Sequence, residues 1–175
     1  EEIQFWNKVD HISSISEKDS ALIKQYSPVK TETLGLYCEA QNLAQKNSGN
    51  ITDFFHIGAM DWLPNQQGLS WLLENVWSTF TANMPSTKLH IAGRGMSEEL
   101  RNLKAPGLIN NGEVADATAF MNTHKIMLVP LFSGSGIRVK IMEGMALGKC
   151  IITTSIGAEG IFITNKENIL IANTK

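Results

Sequence analysis

From Ile51 onward, short apolar runs alternate with helical patterns, and this alternation limits the fold more than any other feature of the chain. "DFFHIG" (53–58), "KLHIAG" (88–93), "GLINNGEV" (107–114), "KIMLVPL" (125–131), "CIITTS" (150–155) and "NILIA" (168–172) read as strands. They have strand length, are rich in β-branched or aromatic residues and are bounded by turn residues. Between the first two lies "NQQGLSWLLENVWSTFTANM" (65–84), where Leu69, Leu72, Leu73, Val76, Trp77 and Phe80 recur at helical spacing. Shorter helices fit "SEELRNL" (97–103), "DATAFMNTH" (116–124) and "GIRVKIMEGMAL" (136–147). Strand, helix, strand units cross over right-handedly and place every strand-to-helix loop at one edge of a parallel sheet. The expected class is therefore α/β: a Rossmann-like parallel sheet with helices on both faces. Loops beginning at Gly58, Gly93, Phe132 and Ser155 are expected to converge on one crevice at that edge.

Residues 1 to about 46 do not continue the rhythm. "HISSIS" (11–16) fits a strand, and Ser16 to Asp19, "SEKD", is a helix-capping signature. "NLAQKNSGN" (42–50) is polar and turn-rich, so a boundary is expected there, dividing the chain into 1–46 and 47–175. The chain starts with two carboxylates and no methionine, which suggests a piece of something longer.

Composition narrows the function classes. Hydrophobic residues make up 43% and charged residues 18% of 175 positions, as in ordinary globular domains. A net charge of -2 with no dense Lys/Arg cluster argues against a nucleic-acid partner. The longest apolar runs fall well short of the roughly 20 residues of a membrane span, which leaves peripheral membrane contact open. Cys38 and Cys150 are far apart and make neither a metal knuckle nor a disulfide framework. His11, His56, His90 and His124 are unclustered, so no metal site is expected. A reducing, cytoplasmic compartment is the simpler expectation.

Chemistry concentrates in "LVPLFSGSGIRVKIMEGMALGKCIITTS" (128–155). Gly134, Ser135 and Gly136 leave open the approach to a helix N-terminus, whose orphan N–H groups and partial positive charge favour anions. Spacings of four and three put Gly136, Lys140 and Glu143 on one helical face, so a phosphate at the tip meets Lys140 and a ribose meets Glu143. Arg138 projects about 200° from Gly136 on an ideal helix and reaches the same ligand only if the first turn is irregular. Small residues at such a turn also serve close packing, and Lys140 with Glu143 also fits a solvated surface pair. A dinucleotide fingerprint fails because Val139 and Glu98 stand where the third glycine belongs in "GSGIRV" and "GRGMSE". A Walker loop fails in "GMALGKC", which runs from helix into strand. Arg94, in "GRG" at the end of a strand, faces either a phosphate or solvent. Trp62, Trp71 and Trp77 read mainly as core or edge packing.

"VPLFSGSGIRVKIMEGMALGKCIITTSIGAEGI" closely resembles the donor-binding region of retaining GT-B glycosyltransferases of the glycogen-synthase-like, family-four type. The resemblance extends back through "GEVADATAFM", "LHIAGRG" and "HIGAMDWLPNQQGLSWLLENVW" and covers most of residues 51 to 172. It implies one half of a GT-B fold, the carboxyl-terminal half that binds a nucleotide diphosphate sugar, UDP- or GDP-linked, as substrate, with no cofactor or metal. It further implies that residues 1 to 46 are the tail of the acceptor half plus a connector. The donor site it implies comprises Arg94, Gly134, Ser135, Gly136, Ile137, Arg138, Lys140 and Glu143. Glu143 matches the second of two glutamates common in the family, which binds the ribose, and Ser135 stands at the first. The Arg and Lys that many members carry after the first strand of this half are absent from "GAMDWLPN", which assigns the diphosphate to Arg138 and Lys140. The acceptor, a glycan or lipid-linked, is then held by the acceptor half, of which this chain carries only the tail. A nucleotide-sugar epimerase and a non-enzymatic sugar-nucleotide sensor are the rival readings. No acid/base pair in the crevice supports the first of these.

Overall fold

The computed structural model describes residues 1–38, 50 and 52–175, in two compact units, 1–38 and 39–175. The expected boundary near residue 46 lies outside the described residues.

In the first unit, helix α1 (Glu2–Trp6) precedes strand β1 (Ile12–Ser14), helix α2 (Glu17–Tyr26) and strand β2 (Thr31–Thr33), and the two strands pair in parallel. The capping signature holds: Ser16 Oγ accepts from Asp19 N at 3.1 Å and starts α2. Ser14, Ser20 and Thr33 join strand, helix and strand through two hydroxyl contacts of 2.7 Å.

The second unit carries all six strands expected from the apolar runs: β3 (Asp53–Ile57), β4 (Lys88–Ala92), β5 (Leu108–Gly112), β6 (Ile126–Val129), β7 (Cys150–Thr153) and β8 (Leu170–Ile171). Their order is β5-β4-β3-β6-β7-β8 and every pairing is parallel. The chain builds outward from β3 to β5, returns to the centre, and builds the other way from β6. The switch point therefore lies between the carboxyl ends of β3 and β6.

Alternation along the strands feeds two cores, one on each face of the sheet. Phe55, Ile57, Met127, Val129 and Ile151 pack against helices α6 (Ala117–Asn122) and α7 (Val139–Ala146). Leu89, Ile91 and Leu128 pack in the other core with the long helix and its continuation. That helix runs as α3 (Leu63–Leu72), a π-helical turn (Leu73–Trp77) and α4 (Ser78–Asn83). At the π turn the buried Trp77 ring lies edge-on to Phe54, and its Nε1 donates to Pro106 O at 2.7 Å. Helix α5 (Glu98–Asn102) starts at Ser97, whose Oγ accepts from Leu100 N.

One helix start differs from the spacing argument. Helix α7 begins at Val139, not at Gly136, because Gly134 (φ 100°) and Gly136 (φ 85°) take left-handed conformations that an α-helix cannot contain. Gly136 therefore shares no helical face with Lys140, and Arg138, at the N-cap, lies outside the regular turn.

Candidate functional site

Four segments meet at the carboxyl edge of the second unit's sheet. The first leaves β3 at Gly58, where a Cβ would overlap both Lys140 Nζ and the Asn65 side chain. The second leaves β4 at Gly93, whose Cα lies so close to Gly58 O that no side chain fits, and Arg94 O accepts from Met60 N at 2.7 Å. The third is the turn from β6 into α7. The fourth follows β7, where Thr154 Oγ1 donates to Leu131 O and Glu159 acts electrostatically on Arg138.

Between the first of these segments and helices α6 and α7 is a cleft of about 360 Å³ lined by Ile57, Gly58, Ala59, Trp62, Asn65, Ala117, Met121, Lys140 and Glu143. Lys140 reaches from α7 across the switch point, donating to Ile57 O and to Asn65 Oδ1, each at 3.0 Å. Burial, and secondarily the charge of Arg138, lowers its pKa from 10.5 to about 8, so at neutral pH it remains mostly an ammonium. Glu143 lies one turn further along α7 and is exposed at the cleft.

Arg138 is only 7% exposed. Its guanidinium lies 5.1 Å from the centre of the Trp62 ring, a cation–π distance, and Nη1 donates to Ser135 O. Nε and Nη2 have no partner within the protein. Two buried, unpartnered nitrogens of a permanent cation, carrying three N–H donors between them, are costly unless an acceptor arrives. Burial lowers the pKa of Arg138, and the Glu159 carboxylate opposes that shift.

His56, the residue before Ile57 in β3, is fully buried and interacts electrostatically with Lys140. Its Nδ1 pairs with Leu128 O at 2.8 Å; the carbonyl can only accept, so Nδ1 carries the proton and Nε2 is an unpartnered acceptor. Burial first and the Lys140 charge second push its pKa down to about 3, against the favourable Leu128 bond, so the ring is neutral.

The structure thus brings Lys140 and Glu143 into one cleft and joins Arg138 to it through Trp62. Gly134 packs on Trp62, where a Cβ would stand 3.0 Å from the ring. Ser135 and Gly136 are exposed on the same turn, and Ile137 is half-buried. Arg94 is exposed on the neighbouring loop. Spacing gives no sign of Asn65, and Trp62, expected as core or edge packing, packs against the core and also lines the cleft. The pair Pro64-Asn65 at a helix start was the available signal. Among the described residues no group of three or more His, Cys, Asp or Glu side chains is placed to hold a metal.

A doubly wound parallel sheet of this order defines a Rossmann-like domain, with Arg138 and Lys140 on the switch-point side of α7. The family model for glycosyl transferases group 1 matches residues 52–175, and the chain belongs to that family. It is 32% identical over 126 residues to an uncharacterized 44.6 kDa protein of the cps region of Klebsiella pneumoniae, across 67% of this chain and 32% of that one. TarM aligns with a TM-score of 0.74 at 18% identity, over 98% of this chain and 35% of its own. The pneumococcal O-GlcNAc transferase GtfA, solved with UDP and GlcNAc, gives 0.75 at 14%, over 99% and 36%. Anabaena HepE, solved with UDP and glucose, gives 0.67 at 12%, over 97% and 51%. The fold is that of a GT-B half, of the carboxyl-terminal kind. The chain spans about a third of the length of the Klebsiella protein, TarM and GtfA.

Proposed function

We propose that this chain is the donor-binding half of a glycosyltransferase that moves a sugar from a nucleoside diphosphate to a glycan or lipid-linked acceptor, with retention. The observation that carries the reading is the pair of cations at the switch point: Arg138, buried with two unpartnered guanidinium nitrogens, and Lys140, held across the mouth of β3. UDP is preferred to GDP because both GtfA and HepE were solved with UDP. In this reading Arg138 and Lys140 bind the diphosphate, with the turn Gly134, Ser135, Gly136 and Ile137 beside it and Arg94 at its rim. Glu143 accepts from the ribose hydroxyls. As the glycosidic bond breaks, negative charge grows on the leaving diphosphate, and the two cations stabilise it more than they do the intact donor.

A thermal-shift panel of nucleoside diphosphates tests the reading, since a ligand at 100 times its dissociation constant stabilises by about 2.7 kcal/mol. UDP is expected to give the largest shift; no shift with any nucleotide would contradict the assignment. Glu143→Gln should weaken UDP by roughly 1.5 to 3 kcal/mol, the range of a hydrogen bond to a charged group, with the fold intact. Unchanged affinity by calorimetry would make Glu143 structural.

The acceptor half is proposed to be supplied by a longer parent protein, with residues 1–46 as its tail and connector. Reaction needs both substrates aligned. The 175-residue chain should therefore bind donor yet transfer no sugar to glycan acceptors; transfer at rates typical of whole enzymes would mean the active site is misplaced. Among the described residues no helix is long and apolar enough to cross a membrane. The parent is proposed to act in the cytoplasm, with peripheral membrane contact when the acceptor is lipid-linked.

A further inference from the structure

Asn65 is 2% exposed and sits in the first turn of α3, where neither spacing nor charge singles it out. Both ends of its side-chain amide are engaged. Nδ2 donates to Ala59 O at 2.8 Å, and Oδ1 accepts from Lys140 Nζ at 3.0 Å. The orientation of the amide is forced, because a carbonyl can only accept and an ammonium can only donate. Space around the pair is also committed: a methyl group on Gly58 would overlap both Lys140 Nζ and the Asn65 side chain.

Holding the loop after β3 requires only the bond to Ala59. The second bond, to a lysine on α7, links the two halves of the sheet across the switch point. With Ile57 O it occupies two of the three N–H donors of the ammonium and fixes where the third points. We propose that Asn65 is a positioning residue that keeps the Lys140 ammonium aimed at the diphosphate, acting on the nucleotide only through that ammonium. The proposal rests on the donor-binding reading above for its consequence, but not for the contact itself.

The charge environment makes the contact matter. Lys140 shares the cleft with the Glu143 carboxylate of its own helix, uncharged Asn65 from α3, and Ala117 and Met121 from α6, while neutral His56 from β3 and cationic Arg138 from the preceding turn act on it electrostatically. Burial and Arg138 both disfavour the charged amine, and the Asn65 carbonyl dipole opposes them. Asn65→Ala removes that dipole; Asn65→Asp keeps an oxygen acceptor toward Lys140 and adds a charge, while losing the donor to Ala59 O.

The test uses the whole 175-residue chain labelled with ¹³C at lysine Cε, with the Lys140 signal assigned by its loss in Lys140→Arg. Titrated without nucleotide, the Lys140 midpoint should fall by about one pH unit in Asn65→Ala and rise in Asn65→Asp. A midpoint unmoved in both folded variants overturns the proposal. Calorimetry with UDP and with uridine at pH 7.5 then reads the consequence. Asn65→Ala should lose UDP affinity about tenfold, leave uridine unchanged, and add no loss in a Lys140→Ala background. Equal losses for both ligands, or a full further loss in that background, also overturn it. If the unmodified chain binds UDP no better than uridine, the donor reading fails by itself. The nucleotide-free titration still decides whether Asn65 holds Lys140.

Discussion

Lys140→Ala should remove most of the affinity for UDP and leave uridine binding close to that of the parent chain. The ammonium meets only the diphosphate in this account, and losing one partner of a desolvated charge pair costs about 2 to 5 kcal/mol. Equal losses for UDP and uridine would contradict a phosphate role. The same residue sets a pH dependence. Its pKa in the folded chain is about 8, against 10.5 for a free lysine, so the ammonium is present below that value and is lost as pH rises through it. UDP affinity should accordingly fall above pH 8 while uridine affinity stays level. Folding stability moves the other way. Between pH 8 and 10.5 the unfolded chain binds the extra proton, so this group's contribution to stability rises with pH across that window. Diphosphate binding favours the protonated amine, so near pH 8 it should take up protons, seen as calorimetric heats that change with the ionisation enthalpy of the buffer.

Gly68→Ala should be among the most destabilising single changes in the second unit. Helix propensity alone predicts a gain of about 1 kcal/mol for replacing a helical glycine with alanine. Packing reverses the sign. Helix α3 lies so close to the end of β6 that an added Cβ at Gly68 would overlap the Pro130 carbonyl oxygen, which belongs to backbone and cannot swing aside. Forcing a methylene into a filled site costs about 1 to 3 kcal/mol, and a rigid neighbour puts this site at the upper end. The melting temperature should drop by roughly 10 °C. A melting temperature equal to or above that of the parent chain would show that α3 and β6 are not in this contact.

The strands were legible because each is a short apolar run closed by glycine, proline or a polar turn, and a run of that kind needs no distant partner to be recognised. Lys140 and Glu143 were legible together because both lie inside the regular part of α7, where a spacing of three means one face. The start of that helix was not, since spacing rules assume helical backbone and cannot see that Gly134 and Gly136 adopt positive φ. The same assumption hid the π turn, where Leu73–Trp77 keeps an amphipathic pattern while its hydrogen bonding changes. Asn65 was out of reach for another reason. Its contact with Lys140 joins residues 75 positions apart, and only the return of the chain to β6 beside β3 brings them together. The irregular turn that frees Arg138 from the helical rows also buries it against Trp62, a pairing that no local pattern encodes.

A nucleoside diphosphate seated in the switch-point cleft should show itself in the amide shifts of the ¹⁵N-labelled chain during titration with UDP. The account predicts saturable shifts at Gly58, at Gly134 to Ile137, and at Lys140 and Glu143, with Asp53, Lys88, Leu108 and Cys150 at the opposite edge of the sheet unmoved. Shifts confined to that opposite edge, or none at millimolar UDP, would contradict it.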